Sequence, residues 1–454
     1  MLNGKRITII GLAREGAALA RFLASLGALV TISDRKPPEA LAAAVEALAP
    51  HGIRFALGDH PEEILDCDYF FISPGVPLDS PIVREAMRRG LTVSGESRFF
   101  LENCPASVIG ITGSSGKTTT THLTAEMLKA SGFRTWVGGN IGSPLTPHLT
   151  EIQPDDQVVM ELSSFQLQIA QSSPHIAAIL NITANHLDRH ASMEEYIEAK
   201  ANILRFQSAG DAAVLGHDNP VTRGLASRIK GRAASFSLTT EVAEGAFMRS
   251  GQLILRLDGR ECVIGHEREV QLRGRHNLEN ILASCAVAGL AGAQSEAMTE
   301  VAVTFRGVEH RLELVRELDG VRYYNDSIAT SPERAAAALR SFTEPVVLLA
   351  GGQDKHLPWE DLARLMLERT RAVVTFGQAA GIVEKALAEA QVEAQAEARP
   401  TITRAASLAE AVSMAQQLAQ PGDVVLLSPG GTSYDAFTDF VERGEIFKRL
   451  VREL

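Results

Sequence analysis

The sequence has little of what marks secreted, metal-binding or nucleic-acid-binding proteins. It contains four cysteines in 454 residues, Cys67, Cys104, Cys262 and Cys285, and none lies at metal-ligand spacing from another. Such isolated cysteines are typical of buried thiols in a reducing compartment. Acidic residues outnumber basic ones, 55 to 44. This balance disfavours a nucleic-acid partner, because phosphate backbones are bound through a basic face.

Long apolar runs are missing as well. No run approaches the ~20 apolar residues that a membrane span needs. The first residues, Met1–Arg6, lead directly into the short apolar run Ile7–Ile10, so they do not resemble a signal peptide with its long apolar region. We therefore expect a cytoplasmic protein without membrane insertion.

The length suggests roughly three domains of ordinary size. Short apolar runs alternate with Ala- and Leu-rich helical patterns, which is typical of βαβ units around a parallel sheet. Asp258-Gly259, between the alternating runs Leu253–Leu257 and Glu261–Ile264, predicts a hairpin and hence an antiparallel appendage. We expect an α/β protein whose three domains span residues 1–96, 97–306 and 307–454.

The individual strands are predicted from the short apolar runs. The predicted strands are Ile7–Ile10, Leu29–Ile32, Tyr69–Ile72, Val108–Thr112, Val158–Met160, Ile176–Ile182, Val321–Tyr324, Val346–Ala350, Ala372–Phe376 and Val424–Leu427. One long Ala-rich helix is predicted over Leu278–Ala291.

The most informative segment is the glycine-rich loop Gly110–Thr120. A strand leads into it and a helical pattern follows, so backbone N–H groups and a helix N-terminus can surround phosphates. Lys117 offers a charge to the β- and γ-phosphates, and Thr118 offers a hydroxyl to magnesium. The spacing is shorter than in the common phosphate loop, because Ile111 stands where the leading glycine belongs. The flanking elements favour ATP binding over the alternative, a plain turn with an exposed lysine.

A second glycine turn, Gly11–Gly16, follows the first strand, and Asp34 ends the next one. This resembles a dinucleotide fingerprint, in which the acidic residue meets a ribose. Ala13 replaces the middle glycine, where the backbone must approach a pyrophosphate, so the signal for NAD is weak and a UDP group fits equally well. Ser73–Gly75 follows another strand at the same edge. The alternative is a tight turn without a ligand.

Polar side chains also follow two later strands. Glu161 ends a strand near the phosphate loop, where a carboxylate can hold magnesium on ATP or begin a helix. The segment Asn185–His190 has two histidines and an aspartate after a predicted strand, which favours a metal or substrate role. Lys200 follows on a helix and gives no signal by itself.

Together these segments resemble the Mur ligases, which add amino acids to the UDP-linked precursor of peptidoglycan. Further matches are Gly274–Asn280, similar to the family's Gly-x-His-Asn-x-x-Asn segment, the pair His310-Arg311, and Asn325–Ser327. The resemblance covers nearly the whole chain. It implies an ATP-dependent amide-bond ligase with Rossmann-like first and third domains and a P-loop-type central domain that binds ATP.

The resemblance also implies roles for individual residues. The catalytic residues are implied to be Lys117, His186 and Lys200. The implied ligands of magnesium, two ions in all, are Thr118, Glu161, His186 and Lys200, and Lys200 matches a lysine that is carbamylated in several members. The implied ATP-binding residues are Gly113, Ser114, Ser115, Gly116, Lys117, Thr118, Thr119, Asn277, Asn280, Arg311 and Asp326.

Within the family, the segment Glu161–Leu167 and the carboxyl-terminal run Leu427–Gly444 are similar to the members that add D-glutamate. This similarity places the UDP-linked substrate against Arg14, Glu15, Asp34, Arg35, Ser73, Asn140 and His186. It places D-glutamate against Thr330, Lys355, Ser433 and Phe440. The chain departs from many of these members at Ile328, where they have a lysine, and at Gly430–Thr432.

The implied reaction joins D-glutamate to UDP-N-acetylmuramoyl-L-alanine through an acyl phosphate, and ATP becomes ADP and phosphate. We expect these small molecules as partners and a monomeric protein. The alternatives are another Mur-type or a folylpolyglutamate-type ligase, a nicotinamide dehydrogenase, and a non-catalytic UDP-precursor-binding protein. Ala13 and the separate ATP loop argue against the dehydrogenase. The presence of Lys117, Glu161, His186 and Lys200 argues against the non-catalytic protein.

Overall fold

The structure is a computed structural model, which describes residues 2–142, 144–183, 190, 192–272, 274–355, 357–394 and 400–454. The chain divides into two compact units. The first comprises Met1–Gln271 and Arg275–Phe305, and the second comprises Leu272–Gly274 and Arg306–Leu454. In the described residues, no helix is both long and apolar enough to span a bilayer.

The amino-terminal part of the first unit is built on a parallel sheet. Its strands are β1 (Arg6–Ile10), β2 (Leu29–Asp34), β3 (Arg54–Leu57), β4 (Tyr69–Ile72) and β5 (Val93–Ser94), and its helices are α1 (Arg14–Ser25), α2 (Pro38–Leu48), α3 (Pro81–Arg88) and α4 (Glu96–Asn103). The strand order is β3-β2-β1-β4-β5. Connections from β1 and β4 leave in opposite directions, so a crevice opens at the carboxyl ends of these strands, where ligands bind in such sheets.

The rest of the first unit carries a larger sheet. Its strands are β6 (Ser107–Thr112), β7 (Thr135–Gly139), β8 (Gln157–Glu161), β9 (Ile176–Ile179), β10 (Ala212–Gly216), β11 (Arg232–Ser237), β12 (Gly245–Arg249), β13 (Gln252–Leu257) and β14 (Arg260–His266). Its helices are α5 (Lys117–Ala130), α6 (Ser164–Gln168), α7 (Met193–Arg205), α8 (Pro220–Gly224), α9 (Arg275–Leu290) and α10 (Ser295–Thr304). The order is β14-β13-β12-β11-β10-β9-β6-β8-β7, parallel except where β13 pairs with β12 and β14. The predicted antiparallel hairpin is therefore confirmed, and it extends the main sheet.

The second unit is also an α/β sheet. Its strands are β15 (Glu313–Leu318), β16 (Val321–Asn325), β17 (Val346–Gly351), β18 (Thr370–Phe376), β19 (Thr401–Arg404) and β20 (Val424–Gly430). Its helices are α11 (Pro332–Leu339), α12 (Glu360–Arg369), α13 (Ala380–Ala394), α14 (Leu408–Leu418) and α15 (Phe440–Glu453). The order is β15-β16-β20-β17-β18-β19, and only β15 with β16 is antiparallel among these described pairs.

Both faces of this sheet are covered by apolar cores. Leu348 and Leu349 are adjacent in β17, yet each belongs to a different buried cluster. Successive side chains of a strand point to opposite faces, so one strand supplies both cores. Truncating either leucine to alanine would destabilise the unit by about 2–5 kcal/mol.

The predicted α/β class with three sheet-based parts is confirmed, and each predicted strand coincides with a strand of the structure. The strand predicted over Ile176–Ile182 was too long, since β9 ends at Ile179. The chain leaves the sheet there because Asn181 turns back to bind the phosphate loop. The long helix begins at Arg275, three residues before its predicted start at Leu278.

Candidate active site

The glycine-rich loop lies at the carboxyl end of β6 and runs into α5. Gly116 precedes the helix with a φ of +81°, a left-handed conformation that glycine adopts without strain. The backbone N–H groups of Ser114 and Ser115 each donate a 2.9 Å hydrogen bond to Asn181, one to its carbonyl and one to its side-chain oxygen. The loop is therefore held in shape from the end of the neighbouring strand β9.

Two lysine side chains converge on this loop. The Nζ atoms of Lys117 and Lys200 each donate a 3.0 Å hydrogen bond to the carbonyl oxygen of Gly113. Lys200 is only 2% exposed, and its Nζ lies 4.7 Å from the ring centroid of Tyr196. Burial, followed by the charge of Lys117, lowers the pKa of Lys200 to about 7. Near neutral pH the Lys200 side chain is therefore partly a neutral amine.

Glu161 connects the phosphate loop with the loop after β7. The Thr118 hydroxyl donates a 2.8 Å hydrogen bond to Oε2 of Glu161, and the Asn140 side-chain amide donates a 2.9 Å bond to Oε1. The Asn140 backbone N–H also donates to the Glu161 carbonyl at 2.9 Å. This close approach requires Gly139, because a Cβ there would lie 2.4 Å from that carbonyl oxygen. Thr118, Glu161 and Asn140 thus form one hydrogen-bonded row.

The predicted ATP-binding asparagines lie at the start of α9, and Asn280 reaches the phosphate loop. Asn280 donates to Oδ1 of Asn277 at 3.0 Å and accepts a 3.4 Å bond from the Thr120 hydroxyl. A Cβ on Gly116 would lie 2.3 Å from Oδ1 of Asn280, so any other residue at this position would force the Asn280 side chain to shift. Thr119 is buried in the same turn of α5. The structure therefore brings the predicted residues of the first unit's ATP site together.

His186, predicted to serve catalysis, metal and substrate, lies outside the described residues, as do its neighbours 184–189. His190, from the same sequence segment, is described and buried. Its Nε2 lies 3.0 Å from the Ser164 hydroxyl, and its ring stacks on Phe165 with the centroids 5.2 Å apart. His190 therefore packs against the start of α6, which begins three residues after Glu161.

The glycine turn of the first sheet is fixed by two predicted substrate residues. The carboxylate of Asp34 accepts backbone N–H groups from Leu12 at 2.7 Å and Lys36 at 2.9 Å, one on each oxygen. The Ser73 hydroxyl donates to the Gly11 carbonyl at 3.0 Å. Asp34 and Ser73 therefore hold the crevice edge in shape, whatever they also contact.

Two arginines of the predicted substrate site are exposed. The Arg14 guanidinium donates to the carbonyl oxygens of Asn140 at 3.1 Å and Gly142 at 2.5 Å. Arg35 follows Asp34 at the end of β2. Arg14 thus ties the glycine turn to the loop that carries Asn140, and it connects two parts of the predicted substrate site.

Glu15, predicted for the same site, lines a cavity of about 250 Å³ where the first and second sheets of this unit meet, together with Glu96. Oε1 of Glu15 accepts a 3.0 Å bond from the Gln166 side chain, and Oε1 of Glu96 accepts from the Thr146 backbone at 3.2 Å. Oε2 of each has no hydrogen-bond partner among the described residues. Burial raises the pKa of Glu15 to about 8 and also raises that of Glu96. Glu15 is therefore mostly protonated at neutral pH.

Arg311 and Asp326, predicted for ATP, belong to the second unit. The Asp326 carboxyl accepts a 2.8 Å bond from the Ser428 hydroxyl and a 3.2 Å bond from the Leu312 backbone. Burial raises the pKa of Asp326 to about 7, and the hydrogen bond from Ser428 and the charge of Arg311 oppose this rise. The two predicted residues are therefore close enough to interact electrostatically.

Three loops meet at the carboxyl edge of the sheet of the second unit. The Gly430 N–H donates to the Ala329 carbonyl at 2.9 Å, and Gln353 and Thr432 exchange two 2.8 Å backbone hydrogen bonds. Backbone contacts thus join the ends of β16, β17 and β20. The predicted D-glutamate residues on these joined loops are Thr330, Lys355 and Ser433.

The side chain of Arg443 holds these loops together through buried hydrogen bonds. It is fully buried, and its guanidinium donates to the carbonyls of Ser327 at 2.8 Å and Thr432 at 3.1 Å. Burial lowers its pKa to about 10, so it remains a cation at neutral pH. The Ser327 hydroxyl donates to the carbonyl of Phe440, the fourth predicted D-glutamate residue, at 2.8 Å. Phe440 begins α15 and packs edge-on against His310.

Sequence reasoning missed several residues that shape these sites. Asn181 fell inside a predicted strand, although a polar residue next to a phosphate loop at one sheet edge was a usable signal. Gln166 forms a capping box with Ser163 at the start of α6, and the spacing Ser-x-x-Gln was a second usable signal. Nothing in the local sequence marked Glu96. Arg443 belongs to the run Leu427–Gly444 that carries the resemblance, but sequence reasoning assigned it no role, because its contacts come from distant parts of the chain.

The sequence matches three family profiles in chain order. They are the Mur ligase MurD-like N-terminal domain over residues 5–95, the Mur ligase middle domain over residues 111–288, and the Mur ligase glutamate ligase domain over residues 310–431. Three parallel-dominated sheets and a phosphate loop held beside Glu161 and two lysines accompany these matches. The chain belongs to the Mur ligase family, whose members are ATP-dependent enzymes that form amide bonds.

The similarity to individual ligases extends over the whole chain. The chain is 45% identical to the UDP-N-acetylmuramoylalanine--D-glutamate ligase of Symbiobacterium thermophilum, over 99% of this chain and 98% of that protein. It is 40% identical to the ligase of the same name from Acetivibrio thermocellus, over 100% and 97%.

Solved structures share the fold. The UDP-N-acetylmuramate-alanine ligase MurC of Thermotoga maritima is 19% identical, with a TM-score of 0.61 over 99% of both chains. MurF of Acinetobacter baumannii is 18% identical, with a TM-score of 0.58 over 99% of this chain and 94% of that one. At this level of identity the likeness concerns the architecture alone.

Proposed function

We propose that this enzyme joins D-glutamate to UDP-N-acetylmuramoyl-L-alanine and converts ATP to ADP and phosphate. The observation that carries the proposal is the row Thr118–Glu161–Asn140, continued by Arg14 to the glycine turn of the first sheet. This row supports an arrangement in which ATP at one end and the UDP-linked carboxylate at the other would be neighbours. The full-length similarity to ligases named for D-glutamate supports the choice of amino acid.

The chemistry follows from the substrates. A carboxylate and an amine do not condense in water, so a carboxylate oxygen of the UDP-linked substrate first attacks the γ-phosphorus of ATP, and ADP leaves. The D-glutamate amine then attacks the carbonyl carbon of this acyl phosphate and loses a proton, and the tetrahedral intermediate expels phosphate. The loop N–H groups and Lys117 orient the phosphates and offset the charge that develops on them.

The residues beside the loop also fit magnesium. The Thr118 hydroxyl and the Glu161 carboxylate are adjacent oxygen donors, which is the chemistry that magnesium prefers. We assign both to the metal, with His186 and Lys200, and when bound the metal would offset phosphate charge. We further propose that Lys200 is carbamylated, because its partly neutral amine can add carbon dioxide and turn a buried cation into an anion.

We propose that the three parts of the chain bind different substrates. Residues 1–96 bind the UDP-linked substrate through Arg14, Glu15, Asp34, Arg35 and Ser73, and residues 97–306 bind ATP and contribute Asn140. Residues 307–454 bind D-glutamate through Thr330, Lys355, Ser433 and Phe440, and they contribute Arg311 and Asp326 to the nucleotide.

Phosphate release from ATP tests the proposal. The purified protein is given UDP-N-acetylmuramoyl-L-alanine and, separately, D-glutamate, L-glutamate, D-aspartate, L-lysine or glycine. We expect release with D-glutamate alone, and its loss in Lys117→Ala. Release with a different amino acid would move the specificity while keeping the ligase, and no release with any of them would refute the substrate assignment.

A further inference from the structure

We propose that Arg334 is a second carboxylate-binding cation of the amino-acid site, acting together with Lys355. The inference rests on the proposed function, because it concerns the substrate of the same site. A dicarboxylate amino acid carries two negative groups. The predicted set of Thr330, Lys355, Ser433 and Phe440 offers them only one cation.

The backbone places Arg334 beside this set. It lies in the first turn of α11, directly after the loop that carries Thr330. Its Nη1 donates a 3.4 Å hydrogen bond to the carbonyl oxygen of Ile328, and the Thr330 N–H donates to the same oxygen at 2.9 Å. The guanidinium and Thr330 are thus held at one point on the edge where the three loops meet.

Arg334 is also near enough to Lys355 for its charge to act on that side chain. The pKa of Lys355 is lowered by burial first and then by the positive charge of Arg334. Both side chains are exposed, and within the described ranges neither forms an ion pair with a carboxylate. The charge of Arg334 also opposes the rise in the pKa of the buried Asp326. Because no described carboxylate is ion-paired with either cation, the two are suited to an anion that neutralises both.

The chemistry of the two cations is complementary. A guanidinium presents paired N–H donors that match both oxygens of a carboxylate, whereas an ammonium acts as a compact point charge. Ile328, whose side chain carries no charge, stands in the same loop where a lysine would supply the second cation. Arg334 reaches the carbonyl of Ile328 from the first turn of α11, so it brings a positive charge to the same loop.

Steady-state kinetics of single variants test this assignment. We expect Arg334→Ala to raise the KM for the accepted dicarboxylate by about tenfold or more, which is the usual cost of removing a charged hydrogen bond. The KM values for ATP and the UDP-linked substrate should change less than twofold, roughly. Arg340→Ala is the matched control, because it removes an exposed arginine at the other end of α11.

A double variant separates a binding role from a structural one. Adding Ile328→Lys to Arg334→Ala should restore at least part of the KM for D-glutamate, since it returns a cation to the same loop. An unchanged KM in Arg334→Ala, while the parent enzyme uses D-glutamate, would overturn the role of Arg334 and leave the proposed function standing. A parent enzyme that accepts only a neutral amino acid would overturn both.

Discussion

The Thr118 hydroxyl and the Glu161 carboxylate are joined by a 2.8 Å hydrogen bond across the ends of two adjacent parallel strands. Thr118 lies in the first turn of α5, directly after the phosphate loop, and Glu161 ends β8, so the sheet itself fixes their separation. The other oxygen of Glu161 is held by Asn140. One carboxylate therefore contacts the helix after the phosphate loop and the loop after β7 at once.

Replacing this carboxylate tests whether its charge is needed. Glu161→Gln keeps the size of the side chain and removes its negative charge, so we expect kcat to fall about 100-fold. The concentration of magnesium at half-maximal activity should rise as well. Phosphate-release kinetics across a magnesium titration measure both. Glu151→Gln, an exposed change in the same domain, is the control, and an unaltered magnesium requirement in Glu161→Gln would contradict the assignment.

Lys200 offers a test of carbamylation. With a pKa of about 7, its amine becomes increasingly neutral as the pH rises above 7. Carbamate formation and activity should therefore fall as the pH drops through 7. Carbon-13 NMR with labelled bicarbonate should show a carbamate signal in the parent protein and none in Lys200→Arg. The exposed Lys129→Arg is the matched control. A signal that survives in Lys200→Arg would place the modification elsewhere.

The raised pKa of Glu15 should make the free energy of unfolding depend on pH. Its pKa is about 8 in the folded protein and near 4.5 in the unfolded chain, so the folded state binds more protons between these values. Stability should therefore decrease as the pH rises from about 4.5 to 8, by up to about 1.4 kcal/mol per pH unit. Glu15→Gln should flatten this dependence and raise the melting temperature at pH 8. Thermal unfolding from pH 5 to 9 measures it, with exposed Glu46→Gln as the control. Parallel curves for Glu15→Gln and the parent would refute the assignment.

The close approach of Gly116 to Asn280 can be tested by comparing the two glycines that flank α5, Gly116 and Gly132. Gly116→Ala adds a Cβ 2.3 Å from Oδ1 of Asn280 and a left-handed strain. Gly132→Ala, after α5, adds the same kind of strain with no atom within 4 Å. We expect the control to cost about 1 kcal/mol of stability, and Gly116→Ala to cost more and to weaken ATP binding as well. Equal losses in both variants, with ATP affinity unchanged, would show that the loop tolerates the contact.

Much of the architecture could be predicted because it follows from patterns of neighbouring residues. The alternation of short apolar runs with helical patterns marks parallel sheets, and Gly113, Gly116 and Lys117 mark a phosphate loop between a strand and a helix. The hairpin at Asp258-Gly259 follows from turn chemistry alone. These signals need no knowledge of distant contacts.

The rest depends on contacts between distant segments. Strand β7 contains a tryptophan and two glycines, and no apolar run marks it, yet it carries Asn140 to Glu161. In the sequence, Glu96 is an ordinary carboxylate at the start of a helix. Only the fold shows that it binds Thr146 and lines the cavity beside Glu15. In the sequence, Arg443 is typical of a surface arginine on an amphipathic helix. In the structure it is fully buried, and its guanidinium donates to carbonyl groups of two loops.

Strand β7 lies at the edge of the nine-stranded sheet, paired only with β8 among the described strands. An edge strand can shift, lengthen or acquire new residues without rearranging the strands further in. Asn140 and its link to Arg14 are attached to this edge, whereas the phosphate loop follows the interior strand β6. If the proposed function holds, the contacts to the UDP-linked substrate can therefore change at this edge while the phosphate loop stays as it is.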